Sequence, residues 1–493
     1  MTASTKGNEP TPAALTAAQR RAVRQLLRIA PLVDELGARF ASAGHEIALV
    51  GGSVRDALLD RLGSDLDLTT SARPKQTKKL LSGWADSVWD VGQAFGTIGA
   101  RKDGYHVEVT TYRADAYDPS SRKPTVSYGE SIADDLVRRD FTVNAMAIRL
   151  PSGEFIDPYG GLRDLARRMI RTPGTPESSF SDDPLRMFRA ARFASQLHFD
   201  VDPTVVAAIH DMAERISIVS AERVRDELSK LVLSDRPRTG LTLLVDTGLA
   251  ALVFPELPAL RLEIDEHHRH KDVYEHSLTV LEQAIVLEGR LTDGGPDLVI
   301  RLAALLHDIG KPKTRRFEPG GGVSFYHHDV VGAKLARRRL TALRFPTAVV
   351  DDVARLVELH LRFHGYGGGE WTDSAVRRYV RDAGPLLDRL HVLTRADCTT
   401  RNQRKALALR RAYDSLEERI ATLAEQEELA AIRPDLDGNA IMSILGVRPG
   451  PVVGRAYRHL LELRLDRGPL GPDVARDELL RWWADQPESA PAT

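Results

Sequence analysis

The sequence predicts a multidomain chain, an α/β head followed by all-α domains. Three observations lead there. At 493 residues the chain is long enough for two to four domains with a sizeable buried core. Two short apolar runs, Glu46–Val50 and His106–Thr111, read as strands near the N-terminal end. From Ser181 onward the apolar residues recur at helical spacing.

Composition narrows the function classes. Lys and Arg number 68 against 69 Asp and Glu, a formal net charge of −1, so no global basicity advertises nucleic acid. A polyanion site must then be a local patch. The single cysteine, Cys398, rules out an internal disulfide framework and fits a reducing compartment. No run of about 20 apolar residues occurs, and the first residues lack an apolar leader core. The expectation is a soluble cytoplasmic protein with no membrane association.

Residues 1–16 are rich in Thr, Pro, Ala and Gly and read as disordered. From Ala17 to Ala43, the spacing of Leu26, Leu27, Ile29, Leu32, Val33 and Leu36 predicts a helix. The strand ending at Val50 then meets Gly51-Gly52-Ser53-Val54-Arg55-Asp56. Paired glycines let the backbone turn sharply and approach a ligand closely. A helix beginning near Ser53 would aim free N–H groups at an anion, and Arg55 adds a planar donor suited to phosphate. Asp65-Leu66-Asp67-Leu68 follows, and two aspartates two apart on a strand share one face. Such a pair beside a phosphate cradle suits Mg²⁺ and a triphosphate. Glu108, opposite the Val107/Val109 face of its strand, supplies a third carboxylate.

Arg113–Tyr128 is polar, with Pro119 and Pro124, and reads as a mobile loop. Asp182-Asp183-Pro184-Leu185-Arg186 predicts a helix start with an acidic cap. Arg186, Arg189 and Arg192 then cluster on one side of that helix, which taken alone reads as a solvated basic face.

In order, GGSVRD, SDLDLTT, VEVTTYR, RRDFTVNAMA, DPYGGLRDL, DDPLRMFRAARFA and ERVRDEL resemble the head-and-neck motifs of class II tRNA nucleotidyltransferases. That family includes CCA-adding enzymes and bacterial poly(A) polymerases. The resemblance spans Ile47 to Val232 and implies a small mixed-sheet palm with a helical neck. It implies that Asp65 and Asp67 hold two Mg²⁺, with Glu108 activating the primer 3′-hydroxyl. Gly51, Gly52 and Arg55 would hold the triphosphate of ATP or CTP. Asp140 would accept the ribose 2′-hydroxyl, supported by Arg138, Arg139 and Asn144. Asp183 and Arg186 would read the incoming base, with Arg189 and Arg192 beside them. A carboxylate accepts from an exocyclic amine and a guanidinium donates to the adjacent ring nitrogen, a pattern that C and A share and U and G reverse.

After Leu260 the character changes. His276, then His307-Asp308-Ile309-Gly310-Lys311-Pro312, His327-His328, His360 and Asp397 accumulate along apolar helices. Imidazole and carboxylate groups at helix ends suit a shared cation. This stretch resembles the HD phosphohydrolase superfamily. The resemblance assigns His276, His307, Asp308 and Asp397 as ligands, with His328 and His360 matching two-metal variants and His328 preferred over His327. A divalent transition metal or Mg²⁺ would sit there, in a phosphohydrolase or a purely structural site.

Asn402–Ile432 predicts an amphipathic helix through Leu407, Leu409, Leu416, Ile420, Leu423 and Leu429. Pro451 opens a further helix, near which Arg448 and Arg455 are candidate phosphate contacts. The expected domains are a head over 17–155, a neck and body over 156–260, an HD domain over 261–400 and a tRNA-binding helical tail over 401–486, with 487–493 disordered. The expected activity is CCA addition to the tRNA acceptor arm, with no obligatory protein partner. The alternatives are a poly(A) polymerase, a CC- or A-adding enzyme, or an HD phosphohydrolase whose head only binds RNA.

Overall fold

The computed structural model describes residues 29–489 apart from 30, 93–95, 114–128, 130, 263–271, 320–322, 364–370, 401 and 428–431. The chain divides into two compact units, Met1–Pro258 and Ala259–Thr493. The polar segment ending at Tyr128 and the first 28 residues lie largely outside the described residues.

The first unit opens with helix α1 over 31–42, whose Leu32, Val33, Leu36 and Phe40 are buried at 3- and 4-residue spacing. The head follows as β1 (Ile47–Val50), α2 (Gly52–Leu58), β2 (Asp65–Thr70), α3 (Pro74–Ser82), β3 (Ser87–Gly92), β4 (Thr97–Lys102), β5 (Tyr105–Thr111), α4 (Ile132–Val137), β6 (Ala147–Leu150) and β7 (Phe155–Ile156). Its seven strands form one mixed sheet in the order β3-β4-β5-β2-β1-β6-β7. Only β2 and β5 pair in parallel within it; the other neighbours are antiparallel. β1 is fully buried, as its unbroken apolar run requires at the sheet centre.

The neck comprises α5 (Gly161–Arg167), the β8 (Met169–Ile170) and β9 (Asp200–Val201) pair, α6 (Pro176–Asp182), α7 (Leu185–Leu197), α8 (Pro203–Met212), α9 (Ala221–Val232), α10 (Pro237–Asp246), α11 (Leu249–Val253) and the short α12 (Glu256–Ala259). Helix α7 packs on α9 and α10. A Cβ on Gly240 of α10 would stand 2.4 Å from the Ala191 carbonyl oxygen, so only glycine permits this approach.

Two helices meet where the sequence predicts one start. Ser181 and Asp182 end α6, and α7 begins at Leu185. The cause is Pro184, which disfavours helical backbone at the residue before it; Asp183 is extended, with φ −144° and ψ 101°.

The second unit is helical: α13 (Val273–Leu287), α14 (Leu298–Leu306), α15 (Lys311–Thr314), a small β10 (Arg316–Phe317) and β11 (Val323–Ser324) hairpin, α16 (His328–Ala342), α17 (Thr347–Leu359), α18 (Asp373–Ala383), α19 (Leu387–Ala396), α20 (Gln403–Gln426), α21 (Gly438–Leu445), α22 (Pro451–Arg467) and α23 (Pro472–Ala484). In α20 the buried side is Tyr413, Leu416 and Leu423, while Leu407 is 50% exposed. Nine residues separate Leu407 from Leu416, half a turn out of phase at 100° per residue. Helices α21–α23 close a small core of Ile441, Ala456, Leu460, Ala475 and Leu479. Pro487–Ser489 forms a 3₁₀ turn, where Glu488 pairs with Arg455, and the rest of the expected disordered end lies outside the described residues. No helix among the described residues is long and apolar enough to cross a membrane.

Candidate active site and metal centre

The parallel register sets Asp65 opposite His106 and Asp67 opposite Glu108. Leu66, Leu68, Val107 and Val109 fill the core, so the three carboxylates share the open face of the sheet. Ser53 ties this edge to α2. Its hydroxyl accepts from the Asp67 N–H at 2.9 Å and donates to the Asp65 carbonyl at 3.4 Å. Burial pushes the Asp67 carboxyl up, with Asp65 adding to the shift and Arg139 opposing it. Burial and the charges of Asp67 and Asp65 also raise Glu108. Crowded oxygen donors of one sign are the donor set that a hard cation relieves.

Beside them, Gly51 has φ 67°, and a Cβ there would stand 2.6 Å from Arg139 Nη1. A Cβ on Gly52 would stand 3.5 Å from Arg55 Nη2 and 3.9 Å from Asp67 Oδ2. Bare backbone thus lies between two guanidinium groups and the carboxylate edge. Arg139 is held by Asp135 at 2.9 Å, and Arg55 by Asp56 at 2.8 Å and by Asn144 Oδ1 at 2.7 Å.

Asp140 is buried. Its Oδ1 accepts from the Phe141 N–H and Asn144 Nδ2, and its Oδ2 from Arg189 Nε at 2.8 Å and Nη2 at 2.5 Å. These four bonds fill the roughly four lone-pair sites of a carboxylate, so a ribose hydroxyl would be accepted only in place of one of them. The arginine triplet of α7 is not a solvated face. Arg186 and Arg192 are each 7% exposed, and Phe193 lies under Arg189 and Arg192. Arg186 donates to Ser179 Oγ at 2.9 Å and to the Arg138 carbonyl, lining a cleft of about 350 Å³ with Arg138, Ser179 and Asp182. Asp183 is turned elsewhere, accepting from the Leu185 N–H and from Arg223 Nη2 at 2.7 Å. The Arg186 N–H donates to the Asp183 carbonyl at 3.0 Å, but the two side chains are oriented by separate partners.

The second unit gathers His276, His307 and Asp397 in one cluster and Asp308, His328 and His360 in another. Asp308 spans both. Its Oδ2 lies 3.2 Å from His307 Nε2 and 3.5 Å from His276 Nε2, and its Oδ1 lies 3.3 Å from His328 Nε2. The Nδ1 atoms of His307, His328 and His360 donate to the carbonyls of Ala304, Phe325 and Val357, which turns every Nε2 inward. His360 Nε2 is buried without a hydrogen-bond partner. Burial and neighbouring His307 push that imidazole down to about 4, the neutral form a metal needs. These observations fit a pair of cations. His327 is exposed at the start of α16, away from the clusters.

Family models match along the chain: a poly A polymerase head domain over 47–171, a probable RNA and SrmB-binding site of polymerase A over 198–260, and an HD domain over 273–402. An A-adding tRNA nucleotidyltransferase of Deinococcus radiodurans is 35% identical over 90% of this chain and 96% of its own length. The chain belongs to the tRNA nucleotidyltransferase family. Among other members, the CCA-adding enzyme of Lactobacillus johnsonii is 39% identical over 47% of this chain and 55% of its own length. The fold is also that of the Bacillus stearothermophilus CCA-adding enzyme solved with CTP, with TM-score 0.63, 24% identity and coverage of 93% and 99% of the two chains.

Sequence reasoning passed over Ser53, Arg223 and Glu227, which hold the site residues in place. The first stood in plain view inside GGSVRD. The other two lie in ERVRDEL, but their partners stand 40 and 35 to 38 residues away, a pairing that no local pattern displays.

Proposed function

We propose that this nucleotidyltransferase adds CMP and AMP from CTP and ATP to the 3′ end of tRNA, completing CCA without a nucleic-acid template. The observation that carries the reading is the register of Asp67 against Glu108, with Asp65 on the same face and the Gly51–Gly52 cradle alongside.

Arg55 and Arg139 would bind the triphosphate along the bare glycine backbone. Asp65 and Asp67 would hold two Mg²⁺, which supply charge neutralisation and alignment of the 3′-oxygen with the α-phosphorus. Glu108 would take the proton from the 3′-hydroxyl, standing on the same open face as the two aspartates. The new 3′-oxygen–phosphorus bond forms as the α–β bridging bond breaks, and pyrophosphate leaves. Asp183 and Arg186 would pair with the Watson–Crick edge of C or A. Mispaired U or G would leave buried groups unsatisfied at about 1–3 kcal/mol each.

The acceptor arm would be held by shape and phosphate contacts, with the helical tail over 401–486 contributing. Arg455 is engaged with Glu488, so Arg448 is the freer candidate there. The HD centre would hydrolyse phosphoesters at nucleotide ends using its two cations. With Cys398 as its one cysteine, the protein belongs in the cytoplasm.

One observation favours a second reading, A addition alone: a relative 35% identical over 96% of its own length is an A-adding enzyme. Incubating the protein with tRNA ending before CCA, and with tRNA ending in CC, separates the two. Terminal CCA on both supports the proposal. Extension of the CC-ended tRNA alone supports A addition, and an adenosine tract points to poly(A) synthesis.

A further inference from the structure

An unbroken line of side-chain contacts runs from α9 to the glycine cradle. Glu227, 4% exposed, accepts from Arg192 Nε through Oε2 and meets Arg189 Nη1 at 3.5 Å through Oε1. Arg189 in turn closes on Asp140 with Nε and Nη2. Asp140 accepts from Asn144 Nδ2 at 2.9 Å, and Asn144 accepts from Arg55 Nη1 at 2.7 Å. The Phe193 ring sits among the guanidinium groups of Arg55, Arg189 and Arg192, at 5.3, 5.4 and 3.9 Å. One turn earlier on the same face of α9, Arg223 fixes Asp183.

We propose that Glu227 is a positioning residue for nucleotide binding, setting the Arg55 guanidinium at the cradle through Arg189, Asp140 and Asn144. A phosphate-binding guanidinium must be oriented before its ligand arrives, or the ordering cost is taken from affinity. Asp56 grips two nitrogens of Arg55 and Asn144 the third, so the plane of the group is set only while Asn144 stays put. Asn144 stays put because Asp140 holds it, and Asp140 is aimed by Arg189. Glu227 stops Arg189 and Arg192 from repelling each other out of that arrangement. The inference rests on reading the cradle as the nucleotide site.

The test is CTP affinity by calorimetry on the full chain with Mg²⁺, together with kcat for CMP addition at saturating CTP. Glu227→Gln weakens CTP binding about tenfold while kcat stays within about twofold. Combining it with Asn144→Ala weakens binding no further than the worse single change, because both cut the same line of contacts. A folded Glu227→Gln protein with unchanged CTP affinity, or losses that multiply in the double variant, would overturn the proposal. If Glu227→Gln does not fold, Arg189→Lys carries the same cycle, since it keeps the charge and loses the two-point grip on Asp140. Failure of the unsubstituted chain to bind either CTP or ATP would overturn the nucleotide-site reading itself, and this inference with it; binding of ATP alone moves the same test to ATP affinity and AMP addition.

Discussion

Asp67 on β2 and Glu108 on β5 are direct register partners across a parallel pair. Neighbouring strands stand about 5 Å apart, so two carboxylates face each other on one open surface with Asp65 two residues away. Nothing in packing rewards that crowding; both carboxyls are pushed toward protonation. The arrangement makes physical sense as a cation and phosphate site.

Arg186→Ala removes the donor proposed to face the ring nitrogen of the incoming base. Competition between CTP and UTP in single-nucleotide addition should then lose about 5- to 150-fold of its bias, the worth of one unsatisfied buried group. An unchanged bias in a folded variant would count against base reading by Arg186. Its buried contacts to Ser179 and Arg138 also predict a measurable fall in Tm.

Burial works against charge on Asp140, but Arg189 and Asn144 prevail and hold its carboxyl well below the usual range. A depressed carboxyl contributes stability that is fully present above the unfolded value of about 3.9 and lost as pH falls below it. Denaturation midpoints should therefore drop on acidification below about pH 4, and Asp140→Asn should flatten that part of the profile while lowering stability at neutral pH. A parallel profile for the variant would exclude Asp140 as a contributor.

Asp308 bridges the two halves of the HD cluster, so Asp308→Ala should empty it. Elemental analysis of protein dialysed without chelator should find transition metal on the unsubstituted chain and less than about a tenth of it on the variant. Nucleotide addition should persist in the variant, because the cations proposed for that reaction would be held by Asp65 and Asp67, not by the HD cluster. Equal metal content in both proteins would refute the ligand assignment.

The sequence displayed the groups that do chemistry better than the groups that hold them. Asp65 and Asp67 advertise themselves through strand alternation, and Gly51–Gly52 through the absence of side chains where a ligand must approach. The HD ligands stand out because charged residues seldom end apolar helices without a partner. Arg189 and Arg192 read as solvated, whereas tertiary contacts to Asp140 and Glu227 hold both and bury Arg192, and periodicity carries no information on such pairs. The division between α6 and α7 was readable from Pro184, but an acidic cap before a helical run suggested a single start. Leu407 shows the converse, an apolar residue at a plausible position whose phase in α20 points it to water.

The most direct measurement is single-turnover CMP addition to tRNA ending before CCA, compared between the unsubstituted protein, Asp67→Ala and Glu108→Gln. With the carboxylates acting at the reacting centre, both variants lose about a thousandfold or more in rate while tRNA affinity stays within about twofold. Addition at near-normal rates by a folded Asp67→Ala protein would contradict the account.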